Sequence, residues 1–167
     1  MRLIHYSDKH LTVVNSASQR SGRPKIVGDK PNGLWVSPIG EDDWPSWCER
    51  EDFGLGRLTH PTEVVMRTDA TLLVVAGEAA LQEFDRQYGV PHPLVCMDSY
   101  SGRRVIDWRS VADKYQGVVI APWVCTFRLD IDMMWYYGWD CASGVIWDAG
   151  SVKELRPLPV RSRSAVR

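Results

Sequence analysis

Two short tryptophan-rich windows constrain this chain most. Six of its eight tryptophans lie within residues 30–47 and 134–148, far apart along the 167-residue sequence. Each window mixes indoles with Gly, Ser and carboxylates, which is typical of a concave site with apolar walls and a few polar groups. The same indoles can instead form the core of a small domain. Taken together, the two windows favour a shared pocket over a core alone.

The composition is that of one globular domain, which we place at residues 1–157, followed by a flexible basic tail at 158–167. The net charge of -1 lacks the basic footprint of a general nucleic-acid binder. The four cysteines form no CxxC pair and match no zinc spacing, so no metal is expected. With neither a signal peptide nor a membrane span in the sequence, we expect a cytoplasmic protein with reduced thiols and no membrane partner.

Apolar runs and turn residues predict more strands than helices. The predicted strands cover residues 3–6, 33–37, 62–67, 71–76, 118–121, 144–147 and 152–155. The predicted helices cover 44–53, capped by Asp42 or Asp43, then 78–88 and 107–115. Polar residues 15–32 form a loop that can close over a ligand. The fold class expected is α+β, with a mostly antiparallel sheet and short flanking helices.

The first strand and the first window supply four candidate site residues. His5, in the first strand, can donate to a ligand hydroxyl if it faces a pocket, or find a backbone partner if it faces the core. Pro31 and Gly33 make a turn that fixes the directions of Lys30 and Trp35. Trp35 and Ser37 share a strand face, which suits stacking on a flat ring and a hydrogen bond to its edge.

The second window supplies a candidate carboxylate. Asp140 follows Trp139 and precedes Ser143, and either desolvation could raise its pKa or a donor such as Ser143 could hold it ionised. Both states suit general-base or charge-stabilising work, whereas a local turn is the structural alternative. Cys141 has no evident base and is expected to be structural, and His60 and His92 are expected at the surface.

The order of these pieces resembles the ADP-ribosyltransferase-like fold. In that group a first strand carries His or Arg, a second carries an aromatic or Ser element, and a later strand edge supplies a carboxylate. Residues 3–6, residues 33–37 and Asp140 look like these three elements. The family's usual Glu, within a Glu/Gln-x-Glu motif, is replaced here by Asp140, and the His strand lacks the customary following Gly or Thr.

The resemblance implies an enzyme that uses NAD as substrate and cleaves its nicotinamide–ribose bond. The ribose then passes through an oxocarbenium-like state that a carboxylate can stabilise. The implied roles are these: His5 on the ribose, Trp35 and Tyr137 as walls, Ser37 as orienter, Asp140 as carboxylate and Lys30 at the pyrophosphate, with Trp139 and Ser143 also lining the nucleotide site. The acceptor, protein or nucleic acid, is left open, as is the choice between Asp140 and Asp148.

Two other functions remain open from the sequence. One is a non-catalytic interaction protein whose indoles form a docking surface, because Trp and Arg are favoured at binding hot spots. The other keeps the fold but acts on an RNA 2′-phosphate, which the near-neutral charge disfavours.

Overall fold

The computed structural model describes residues 1–19, 30–92 and 102–159, and a seven-stranded sheet organises them. Its strands are β1 (Leu3–His5), β2 (Leu34–Pro38), β3 (Thr62–Met66), β4 (Leu72–Val75), β7 (Gly117–Ile120), β8 (Ser143–Ile146) and β9 (Val152–Pro157). A separate two-stranded sheet pairs β5 (Gly89–Pro91) with β6 (Arg104–Ile106). The order in the large sheet is β4-β7-β8-β2-β1-β3-β9.

The pairings confirm the predicted α+β class with a mostly antiparallel sheet. Five of the six pairings in the large sheet are antiparallel, and β4 with β7 is the parallel one. The strands β3 and β4 are neighbours in sequence, yet β4 is an edge strand at the far side of the sheet from β3. A parallel pair needs a long crossover connection, and the chain between β4 and β7 provides it with two helices.

In the described parts of the chain, three α-helices flank the sheet, and two begin at an Asp cap. They are α1 (Trp44–Arg50), α2 (Glu78–Tyr88) and α3 (Trp108–Ala112), which ends three residues before the predicted limit at Tyr115. Asp43 accepts from the Ser46 amide at 3.0 Å, so it is Asp43 rather than Asp42 that caps α1. Short 3-10 helices cover Leu55–Leu58, Cys125–Phe127, Met134–Gly138 and Ala149–Ser151.

The larger core contains most of the tryptophans. Trp108, Trp135, Trp139 and Trp147 are buried there with Leu81 and Phe84 of α2, and Trp35 and Trp123 pack against them. A second, smaller apolar cluster joins Leu3, Val36, Val64, Val119 and Ile146. The core interpretation of the indoles is therefore correct for much of the second window.

Gly33 allows β2 to begin close against β8. Its φ is +145°, and a Cβ there would lie 2.5 Å from the Ile146 carbonyl oxygen. Any side chain would separate the two strands, which explains why a turn residue with no Cβ stands directly before Leu34 and Trp35.

Three predicted segments extend beyond the described residues. They are the polar loop at 15–32, of which 20–29 are not described, the basic tail, of which 160–167 are not, and the connection after the predicted helix at 78–88, of which 93–101 are not. Across the parts of the chain that are described, every helix is too short or too polar to cross a bilayer.

Candidate functional site

A cavity of about 350 Å³ lies beside β1 and β2 and is lined by residues from both tryptophan-rich windows. Small-molecule sites in proteins usually range from about 300 to 1,000 Å³, so its size suits a ligand or part of one. Six of the eight predicted site residues line it: His5, Lys30, Trp35, Ser37, Asp140 and Ser143. Tyr137 and Trp139 do not.

Strand order explains why residues distant in sequence meet here. The strands β8, β2 and β1 are consecutive in the sheet, with Trp35 opposite Val145 and Ile4 opposite Ser37. Asp140 comes three residues before β8 begins, and His5 ends β1. Antiparallel pairing of these strands therefore brings the imidazole, the indole and the carboxylate around one cavity.

His5 is held by the strand beside it. Its Nδ1 lies 2.8 Å from the Trp35 carbonyl oxygen, which can only accept, so Nδ1 carries the hydrogen. In the neutral ring, Nε2 is then an acceptor for a ligand hydroxyl. The backbone partner that the core interpretation proposed for His5 is present, although the ring also lines the cavity.

Trp35 is packed between the core and a cation. Its ring centroid lies 5.2 Å from that of buried Trp139, and the Lys30 ammonium lies 4.8 Å from the Trp35 centroid. An ammonium at that distance is attracted by the indole π-system. Lys30 and Trp35, which flank the Pro31–Gly33 turn, are thus in direct contact.

Asp140 is paired with an arginine that the sequence did not single out. The Arg128 guanidinium donates to Asp140 Oδ1 at 3.1 Å, and both side chains are partly exposed. The Arg128 guanidinium also lies 5.9 Å from the Trp123 ring and 5.8 Å from the Tyr137 ring. Tyr137, predicted as a ligand wall, therefore contacts Arg128 instead, and it is Arg128 rather than Ser143 that meets the carboxylate.

The two predicted serines serve the backbone. Ser37 is buried, and its Oγ accepts from the Trp44 amide at 2.8 Å, which ties β2 to the first residue of α1. Ser143 Oγ donates to the Cys141 carbonyl at 3.1 Å. Each hydroxyl therefore has a structural partner, and both serines also line the cavity.

Trp139 and Cys141 are core residues on either side of Asp140. Trp139 is fully buried among the indoles of the larger core, so it does not line the cavity. Burial raises the pKa of the Cys141 thiol to about 12, and the neighbouring Asp140 charge adds to this rise. A thiol with so high a pKa is neutral near pH 7, which agrees with a structural role.

Sequence reasoning missed Tyr6, Trp44 and Arg57, which also line the cavity. Trp44 follows the Asp43 cap, and its ring stacks on that of Trp47, with centroids 5.1 Å apart and planes 18° apart. The proline and the two aspartates next to Trp44 predicted that a helix begins there. They gave no indication that Trp44 lines a cavity. Arg57 stands in a Gly-rich turn with no local signal of a site.

The positions of Asp148 and His92 bear on two further predictions. Asp148 caps the turn at Gly150 and accepts from Gln116 Nε2 at 2.6 Å, and it does not line the cavity. The open choice between the two carboxylates therefore favours Asp140 on location. His92, expected at the surface, is only 2% exposed.

The described portion of the chain brings together no group of three His, Cys, Asp or Glu side chains able to hold a metal ion. A scan against protein-family models, a search of curated proteins and a search of solved structures found nothing that matches this chain. The proposals for its function rest, accordingly, on the cavity and on the residues around it.

Proposed function

We propose that this protein is an ADP-ribosyltransferase-like enzyme that binds NAD as substrate in the cavity and cleaves its nicotinamide–ribose bond. One observation carries the proposal: the three strands that resemble the family's His, aromatic and carboxylate elements are consecutive in the sheet, and His5, Trp35 and Asp140 line one cavity. Function depends on such a site rather than on the fold alone.

Each residue's role follows from its contacts. Asp140 stabilises the positive charge that develops on the ribose as the bond to nicotinamide breaks. His5 Nε2 accepts a hydrogen bond from a ribose hydroxyl, since Nδ1 is engaged with the Trp35 carbonyl. The indoles of Trp35 and Trp44 form apolar walls for flat rings.

Three roles implied by the resemblance change. Ser37 fixes the start of α1, and so the position of Trp44, rather than orienting a reacting group. Tyr137 braces Arg128, which in turn holds Asp140. Trp139 supports Trp35 from the core. Tyr137 and Trp139 act on the site through others, because they do not line the cavity.

The test is release of free nicotinamide from NAD, followed by mass detection, for the wild-type protein and for Asp140→Asn. We expect Asp140→Asn to lower turnover about 100-fold or more, the usual effect of removing a preorganised electrostatic contact. Asp148→Asn makes the same chemical change outside the cavity and should keep wild-type turnover once its folding has been checked by thermal unfolding. No release by the wild-type protein, or an Asp140→Asn rate within twofold of wild type, would contradict the proposal.

The indole docking surface has little support by comparison. All eight tryptophans are among the described residues; four are buried, and Trp35, Trp44, Trp47 and Trp123 are only partly exposed. Rings exposed to this extent offer a partner less apolar surface than a docking patch of fully exposed indoles would. Action on an RNA 2′-phosphate would use the same cavity, and an RNA oligonucleotide bearing that group, assayed beside NAD, separates the two reactions.

A further inference from the structure

Arg57 differs from most arginines that the structure describes. Seven others are paired with a carboxylate in ion pairs of 2.5–3.4 Å: Arg2, Arg50, Arg67, Arg86, Arg104, Arg128 and Arg156. The Arg57 side chain lines the cavity and makes no hydrogen bond or ion pair to another described residue, whereas its backbone amide donates to the Gly54 carbonyl at 2.8 Å. Its guanidinium, with five donors, is available to a ligand.

The chain reverses direction after α1, and this turn places Arg57 beside the cavity. Gly54 adopts the left-handed conformation at φ 60°, and the 3-10 helix Leu55–Leu58 follows it. The same α1 begins at Trp44, which lines the cavity as well. One short helix and its return turn therefore supply both an aromatic wall and a cation to the site.

The charged residues that line the cavity are not balanced. Asp140 is the one carboxylate among the described lining residues, and Arg128 already pairs with it. Lys30 and Arg57 add two positive charges, and the Lys30 ammonium lies over the Trp35 ring. Two cations against one carboxylate favour an anionic ligand, and a guanidinium matches the geometry of phosphate oxygens.

We infer that Arg57 anchors a phosphate group, so that the ligand of the cavity is a pyrophosphate-bearing nucleotide rather than a nucleoside. The identity of the nucleotide rests on the proposed function, whereas the preference for an anionic ligand rests on the charges that line the cavity. Lys30 supplies the second positive charge. Two separate cations suit a ligand with two linked phosphates better than a ligand with a single phosphate.

Isothermal titration of the full chain with inorganic pyrophosphate, ADP-ribose and nicotinamide riboside tests this inference. For ADP-ribose and pyrophosphate, we expect Arg57→Gln to weaken binding at least about tenfold, because a charge-assisted contact is lost. Nicotinamide riboside carries no phosphate, so its affinity should stay within twofold. Arg57→Lys should recover part of the loss, since it keeps the charge without the fork geometry.

Arg109→Gln is the matched control, because Arg109 is also exposed and does not line the cavity. It should bind all three probes as the wild-type protein does. Unchanged binding of ADP-ribose and pyrophosphate by Arg57→Gln, or no binding of either by the wild-type protein, overturns the inference. If nicotinamide is released at the same rate with and without Arg57, the proposed function holds and the phosphate role of Arg57 fails. If pyrophosphate binding depends on Arg57 but no nicotinamide is released, the phosphate role holds and the proposed function fails.

Discussion

Single side chains around Asp140 show what sequence reasoning can and cannot find. The carboxylate stood out because it lies among indoles and before an apolar strand, and it does line the cavity. Its partner Arg128 lies twelve residues earlier in a segment for which no helix or strand was predicted, so no spacing indicated the pair. Contacts of this kind depend on how loops return to the sheet, which local patterns do not encode.

Cys141 gives a prediction at the same scale. Because burial raises the pKa of its thiol to about 12, almost none of it is thiolate at pH 8, and the thiolate is the nucleophile. We expect iodoacetamide to label exposed Cys125 in the native protein and to label Cys141 only after unfolding. Peptide mass mapping of the two sites gives the measurement, and native labelling of Cys141 at the Cys125 rate would contradict it.

At the scale of elements, local signals predicted where strands and helices lie better than how they pair. The α2 helix runs over Glu78–Tyr88, the predicted range, because its apolar spacing and the Gly stop act within one segment. The β3 and β4 strands were also predicted, but their separation in the sheet depends on the partner β7. Partner choice is decided by packing across the whole sheet.

The cap of α1 gives the prediction at this scale. Asp43→Ala removes the acceptor for the Ser46 amide and should lower the free energy of unfolding by about 1 kcal/mol. Asp42→Ala, one residue earlier, should have little effect, since the Asp42 contact to Ala142 is made by its backbone carbonyl. Urea denaturation of the two variants measures the difference. Equal loss in both would mean that the cap contributes nothing beyond general charge.

At the scale of the whole molecule, an ion-pair network joins β3 to the residue before β1 and to β9. Glu63 of β3 accepts from Arg2 at 2.7 Å, next to β1, and pairs with Arg156 of β9 at 3.3 Å. The hydrogen bond from Arg2 is the main reason that the pKa of Glu63 is lowered. The network was not visible from sequence, because it joins residues from three strands that meet only in the folded sheet.

The lowered pKa of Glu63 predicts how stability depends on pH. A carboxylate with a lowered folded-state pKa stabilises the fold above its unfolded value, about 4.3 for Glu, and loses this as pH falls through the lower folded value. Glu63→Gln should therefore be less stable than wild type at pH 7, with the gap closing below about pH 4. Thermal unfolding from pH 7 to pH 3 measures the gap.

Glu154→Gln provides the comparison for this pH series. Glu154 shares Arg156 with Glu63, but it is far more exposed, so solvent screens its pair. We expect a smaller change at pH 7 than for Glu63→Gln. A gap between Glu63→Gln and wild type that stayed constant down to pH 3 would show that the ion pairs do not cause it.

His5 Nδ1 donates to the Trp35 carbonyl, so the pairing of β1 with β2 determines which ring nitrogen of His5 carries the proton. A slip of β1 against β2 by one residue would turn His5 to the opposite face of the sheet and leave that carbonyl without the ring. The register that pairs β1 with β2 therefore also leaves His5 Nε2 able to accept from a ligand hydroxyl. A substitution far from the cavity that shifts this register would remove that acceptor without contacting His5.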